Sequence, residues 1–182
     1  MSNFPIIKFF ERDIWNKRLS NYKSKLLLES GSENLISFAI IETPHVAIGI
    51  SYEEDSVYPK VKSLDSVNEC FIGVDNRLFI VNTVEMKVIS EIDLQSFFVD
   101  VVELANKGII VIEEIGVGLY ESTGGRIWFT PTDLIENYLV ENDTIIVTTD
   151  TGKIKLSILT GKELIWCFIS ALSPGSNRLS IV

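Results

Sequence analysis

Short apolar runs separated by turn residues dominate the chain from about Leu35 onward. LISFAIIE, VAIGISYE, ECFIGV, RLFIVN, KVISEI, FVDVVEL, GIIVIEE, VGLYES, RIWFTP, TIIVTT, KIKLSI and ELIWCFI are each six to eight residues long. They are rich in Val, Ile, Thr and aromatic residues, whose branched or flat side chains fit a pleated strand better than a helix. Ahead of them, Asp13 precedes Ile14, Trp15, Leu19, Tyr22 and Leu26. That spacing follows one face of a helix, with Asp13 placed as its cap. The segment SKLLLES fits the end of this helix or the start of a strand. The pattern thus predicts a short N-terminal helix followed by an almost entirely β body.

The turns between the runs align with one another. Asp75-Asn76, Gly116 and Thr151-Gly152 each stand between an apolar run and a second short run, and Asn and Gly accept the positive φ that tight hairpin turns require. A second turn follows nine residues after Gly116, at Gly125 in STGG, and nine after Gly152, at Gly161 in LTGK. From Asn76 to Gly116 is 40 residues and from Gly116 to Gly152 is 36, the length that one propeller blade of consecutive hairpins occupies.

Residues 143–166, DTIIVTTDTGKIKLSILTGKELIW, resemble the repeat of quinoprotein-type β-propellers: a strand, an Asp/Thr-Gly turn, a strand, a Thr-Gly-Lys turn and a strand ending in Trp. KGIIVIEEIGVGLYESTGGRIWF at 107–129 looks like the same unit, and NECFIGVDNRLFIVNTVEMKVIS at 68–90 is a third copy. The resemblance implies a propeller-like scaffold. Three or four blade-sized units fall short of the full ring that cofactor binding needs in the quinoprotein enzymes, so no cofactor residue is carried over. The expected fold class is mostly β: antiparallel hairpins in an incomplete propeller-like or sandwich arrangement, with a possible short N-terminal helix. Residues 1–34 read as a basic leader packing on a β-hairpin repeat domain, 35–182, within one domain overall. An incomplete set leaves strand edges that must be covered, and the leader is the expected cover.

Charge sharpens this division. Residues 1–28 hold six basic and two acidic groups, net +4, whereas 29–182 hold ten basic and 23 acidic groups, net -13. Across all 182 residues the net charge is -9 and the pI is about 4.7, which sets phosphates against like charge and counts against a nucleic-acid partner. The basic arm suits the acidic body of its own domain, and the acidic body suits a basic partner drawn in by its field. No run of eighteen apolar residues occurs, and MSNFPIIKFFERDIW lacks the order of a signal peptide, so the expectation is a soluble, cytoplasmic protein without a membrane partner.

Candidate chemistry is sparse. The single histidine, His45, has no Gly-x-Ser-x-Gly elbow to serve, which leaves a hydrolase triad unsupported. Cys70, Cys167 and His45 are scattered and make neither a zinc cluster nor a disulfide framework. P-loop, dinucleotide-binding and EF-hand patterns are absent, and Gly116-Val117-Gly118 lacks the following helix that would hold a pyrophosphate. The carboxylate groupings Glu113-Glu114 and Glu53-Glu54-Asp55 remain as acid–base candidates of the glycosidase kind. Consecutive strand residues face opposite ways, so these read instead as acidic loop decoration. Trp128 and Trp166 fall on closing strands and read as core.

Tyr52 and Tyr58 flank the acidic run in SYEEDSVY, which reads as an exposed loop. Tyrosine beside carboxylates is also what protein-binding surfaces use. The expectation is a non-enzymatic protein with no metal and no cofactor, binding a basic protein through Tyr52, Glu53, Glu54, Asp55, Tyr58, Glu113 and Glu114. Its most specific form is an acidic immunity protein that inhibits a basic toxin, such as a nuclease. The alternatives are a general protein-interaction module and a small-molecule-binding reduced propeller. The C-terminal ALSPGSNRLSIV reads as the end of the last strand and a tail.

Overall fold

The computed structural model describes residues 5–29, 35–42, 46–53, 58–63, 68–104 and 108–164. The leader forms β1 (Ile6–Phe9), α1 (Arg12–Ser20) and β2 (Ser24–Glu29), and then come β3 (Leu35–Glu42) and β4 (Val46–Glu53). These make the first sheet, in the order β1-β3-β4-β2. Because β1 pairs antiparallel with β3 and β2 pairs parallel with β4, the leader closes both edges of the β3–β4 hairpin. The second sheet is the meander β5 (Lys60–Ser63), β6 (Glu69–Val74), β7 (Arg77–Asn82) and β8 (Lys87–Asp93). A like meander, β9 (Phe98–Leu104), β10 (Gly108–Glu113), β11 (Gly116–Tyr120) and β12 (Arg126–Pro131), forms the third. The fourth is β13 (Ile135–Glu141), β14 (Thr144–Thr149) and β15 (Lys153–Ser157), extended by a bridge from Leu156 to Glu163.

The sheets stack in chain order, each interface with its own apolar cluster. Ile41, Ile48 and Ile50 of the first sheet meet Ile72, Val74 and Phe79 of the second. Phe71, Leu78 and Ile80 meet Phe98, Val101 and Val111 of the third, and Ile110, Ile112 and Val117 meet Ile145, Val147 and Leu156 of the fourth. Successive residues of a strand point to opposite faces, and here both faces of the middle strands are covered. This is why ECFIGV and GIIVIE are continuous apolar runs and not alternating ones. At the second interface, Gly73 lies under the Phe98 ring, so closely that a Cβ there would fall 1.9 Å from it.

The far face of the first sheet is covered by α1. Trp15 and Leu19 pack with Phe38, Ile40 and Ala47, the Trp15 and Phe38 ring centroids lie 5.1 Å apart, and Trp15 Nε1 donates to the Ala39 carbonyl at 2.9 Å. The Arg18 guanidinium and the Tyr22 hydroxyl both bond the Glu42 carboxylate, tying basic leader to body. The molecule is thus mostly β, an incomplete propeller-like stack of four sheets with one short helix across one end.

Several local expectations need correction. The N-cap residue is Glu11, which makes no side-chain cap bond, and Asp13 lies within the first turn of the helix. SKLLLE is a strand. The second hairpin turns at Glu114–Ile115, with Gly116 already opening β11, and in the first turn it is Asp75 that takes the positive φ, 51°. Strands β1, β5 and β13 fall outside the apolar runs: β5, KVKS, is short and half lysine, and β13, IENYLVE, mixes its apolar residues with Glu and Asn. His45, Cys167 and Trp166 lie outside the described residues. Trp128 packs at the third interface and donates from Nε1 to the Ile158 carbonyl at 2.9 Å.

Candidate protein-binding rim

Where the chain passes from one sheet to the next, the connectors run beside the hairpin tips, and backbone bonds recur there. Phe98 N–H donates to the Asp75 carbonyl and Leu94 N–H to that of Asn76, both at 2.8 Å. One sheet on, Ile135 N–H donates to Glu114 at 2.8 Å, Thr132 N–H to Ile115 at 3.0 Å and Glu114 N–H to Phe97 at 2.8 Å. Asp150 N–H then reaches the Leu134 carbonyl at 3.2 Å. The tips and connectors of all three later sheets are thereby knitted into one rim. Along the adjoining edge the first strands touch: Lys60 Nζ donates to the Val99 carbonyl at 2.7 Å, and Asp100 of β9 takes both the Tyr138 hydroxyl and, at 3.5 Å, Lys62 Nζ. Burial, followed by the bond to Asp100, raises the Tyr138 pKa.

This repeat places an outward apolar residue one or two positions ahead of each first strand: Tyr58 (54% exposed), Phe97 (39%) and Leu134 (46%). The residue after each of them, Pro59, Phe98 or Ile135, is buried or half-buried. Ile115, at the tip between Phe97 and Leu134, is 46% exposed, and Phe10, just past β1, is 74% exposed. Lys8 Nζ lies 5.0 Å from the Phe10 ring and 4.9 Å from that of Tyr58, joining the first sheet to the same rim. Interspersed with these are carboxylates: Glu53, Asp93, Asp133 and Asp150 are exposed and Glu114 is half-buried. Exposed apolar side chains that recur along one edge of a stack suit a contact surface, since a monomer gains nothing by displaying them.

The sequence-nominated residues divide across this geometry. Glu53, Tyr58 and Glu114 belong to the rim. Glu54 and Asp55 lie outside the described residues. Tyr52 is not in an exposed loop: β4 continues through Glu53, and the Tyr52 side chain is buried between the first and second sheets. Burial pushes its hydroxyl up to about 12, with the charges of Tyr58 and Asp75 adding and the nearby Ser37 hydroxyl opposing, although Ser37 does not meet hydrogen-bond geometry. Glu113 is also no surface residue. It ends β10 fully buried, and its Oε2 accepts from the backbone N–H of Gln95 at 2.7 Å and of Ser96 at 2.8 Å. The Tyr120 hydroxyl donates to Oε1 at 3.5 Å. Burial raises the Glu113 pKa and these donors partly offset it. Glu113 therefore anchors the connector that precedes β9, and Glu114 faces the rim, so the pair shares no acid–base site.

Phe10, Phe97 and Leu134 escaped the sequence reading because each adjoins an inward apolar residue, Phe9, Phe98 or Ile135, and passes for part of the same run, whereas Ile115 stands alone between Glu114 and Gly116. For Phe97 and Leu134 the usable signal was their register, a large residue just ahead of the inward residue that opens each repeat. Among the described residues no group of three or more His, Cys, Asp and Glu is placed to hold a metal. Burial pushes the Cys70 thiol up to about 12, far from the thiolate that reactive cysteines need. No described helix is long and apolar enough to cross a membrane. An open groove of about 390 Å³ runs between β2 and β8, lined by Leu28, Glu29, Arg77, Phe79, Val88 and Glu91 among others.

No protein-family model matches the chain, and no curated protein matches it. Solved structures similar to it are β-propeller proteins. AztD from Citrobacter koseri, in its apo form, has a TM-score of 0.49 at 12% identity, over 78% of this chain and 46% of that one. BamB from Moraxella catarrhalis has a TM-score of 0.48 at 13% identity, over 70% of this chain and 44% of that one. Hsv2 from Kluyveromyces lactis has a TM-score of 0.38 at 12% identity, over 71% and 59%. The chain spans about half the length of these propellers, and the likeness is one of fold.

Proposed function

We propose that this chain is a non-catalytic protein-binding module whose rim receives a basic partner surface. The observation that carries the reading is the line of five exposed apolar side chains, Phe10, Tyr58, Phe97, Ile115 and Leu134, set among carboxylates. Apolar and aromatic residues supply most of the energy of protein contacts once water is excluded around them. The carboxylates supply encounter rate and selection for positive charge. In its specific form the partner is a toxin with a basic groove, such as a nuclease, and the chain is a cytoplasmic immunity protein that covers it. The quinoprotein-like repeat then serves as scaffold only. The alternative of a small-molecule-binding reduced propeller would use the groove between β2 and β8.

The test is capture from the native cell in low salt, with wild-type protein and the double variant Phe97→Ser, Leu134→Ser as parallel baits. The expected result is one stoichiometric basic protein on the wild-type bait and its loss from the variant. Truncation of two central contacts costs about 1–2 kcal/mol each, or roughly tenfold or more in affinity per residue. Leu159→Ser, at the opposite end of β15, is the control and keeps the partner. Identical recovery on both baits, or recovery of nothing, would sink the reading.

A further inference from the structure

We propose that Ser37, Tyr52 and Asp75 form a binding site for a small monovalent cation between the first and second sheets. Ser37 and Tyr52 are direct partners across β3 and β4, so both point from the same face toward the second sheet. Asp75, at the tip between β6 and β7, reaches back across the interface, where its Oδ2 accepts from the Glu53 N–H at 3.4 Å. The three residues are 0%, 1% and 6% exposed. Ser37 Oγ, Tyr52 Oη and Asp75 Oδ1 are nevertheless all without a hydrogen-bond partner.

Buried polar atoms are almost always paired, and an unpaired charged oxygen is the costliest exception. The next interface shows how the same problem is solved with protein groups: Glu113 is equally buried but receives two backbone N–H bonds and the Tyr120 hydroxyl. Asp75 has one long bond, and among the described residues no Lys or Arg forms an ion pair with it. A bridging water would pair the three oxygens but leave the carboxylate charge uncompensated. A cation does both.

The donors are all oxygen, which selects hard ions over soft ones. A single carboxylate supplies one negative charge, which matches a monovalent ion better than a divalent one. Tyr52, whose hydroxyl is pushed up to about 12 by burial, stays protonated at neutral pH and acts as a neutral ligand. Sodium, potassium and ammonium share this chemistry and are separated by the test. The site is independent of the rim.

The experiment is thermal unfolding of the full chain in sodium, potassium, ammonium or choline chloride at one ionic strength, choline being too large to enter. The expected result is a saturable rise in Tm with at least one small cation, about 2–4 °C above choline for a chain of this size. The rise should vanish in Asp75→Asn and shrink in Tyr52→Phe. Asn tolerates the left-handed φ at this position, so the first variant keeps the turn. In choline, Asp75→Asn should melt at or above wild type, because the uncompensated charge is gone. Equal Tm values in all four salts would overturn the proposal and leave water as the occupant, as would a cation-specific rise that persists in Asp75→Asn.

Discussion

Two carboxylates respond to pH with opposite sign. Glu113 is buried and its folded-state pKa is raised, so the folded state holds its proton more tightly than the unfolded chain. Its stabilising contribution is complete below the unfolded value of about 4.3 and is lost as pH rises through the folded value. Glu42 is the reverse: the Tyr22 hydroxyl and then Arg18 hold its carboxyl below the usual range. Its contribution is present above the unfolded value and disappears as pH falls through the folded one. Denaturant midpoints measured from about pH 3 to pH 7, either side of the ordinary carboxylate range, should show Glu113→Gln removing the decline toward neutrality. Glu42→Gln should instead remove the loss on the acid side. A Glu113→Gln profile parallel to wild type throughout would refute the assignment. The Glu113-Glu114 pair also shows where sequence stops: which of the two is buried depends on where β10 ends, and the N–H donors that hold it come from 17 and 18 residues away.

At the scale of elements, α1 carries the clearest consequence. Its two buried residues, Trp15 and Leu19, seal an apolar face that would otherwise expose Phe38 and Ile40. Trp15→Ala removes a large buried ring and its bond to Ala39, and should cost about 3–5 kcal/mol. Equilibrium unfolding followed by circular dichroism would measure it; a loss below about 1 kcal/mol would mean that the helix contributes little. The middle strands were legible because both faces are buried and the apolar run is continuous. The leader was not, because Leu26 and Leu28 pack toward the second sheet and Leu27 toward α1. A triplet used on both faces fits a helix and a strand alike. β13 was missed because its outward positions, Asn137, Leu139 and Glu141, are mostly polar and break the apolar run set by inward Tyr138 and Val140.

The whole molecule sets a basic leader at one end of the stack against an acidic rim and body. Neutralising Glu114, Asp133 and Asp150 as amides should slow association with the captured partner by about tenfold at low salt and flatten its salt dependence. Stability should stay within about 0.5 kcal/mol, as for surface changes generally. An unchanged on-rate would remove the carboxylates from the mechanism. That rim could not be read beforehand, since the connectors and tips that compose it become neighbours only when the sheets stack. The period of 40 and 36 residues between turns anticipated the units, but not which end of them would carry the contacts.

The two ends of the stack differ in kind. The first sheet is sealed by α1, whereas the outward face of the fourth presents Leu139 and Ile146, paired across β13 and β14, beside Lys153 and Lys155. The joints between the second and third and between the third and fourth sheets are made by the same tip-to-connector bonds. Among the described residues the stack is therefore covered by a helix at one end and ends in a sheet face at the other. A duplicate of residues 94–131 inserted after Pro131 would carry its own connector, hairpin tip and facing surfaces, whereas the helix side offers no socket for an added part.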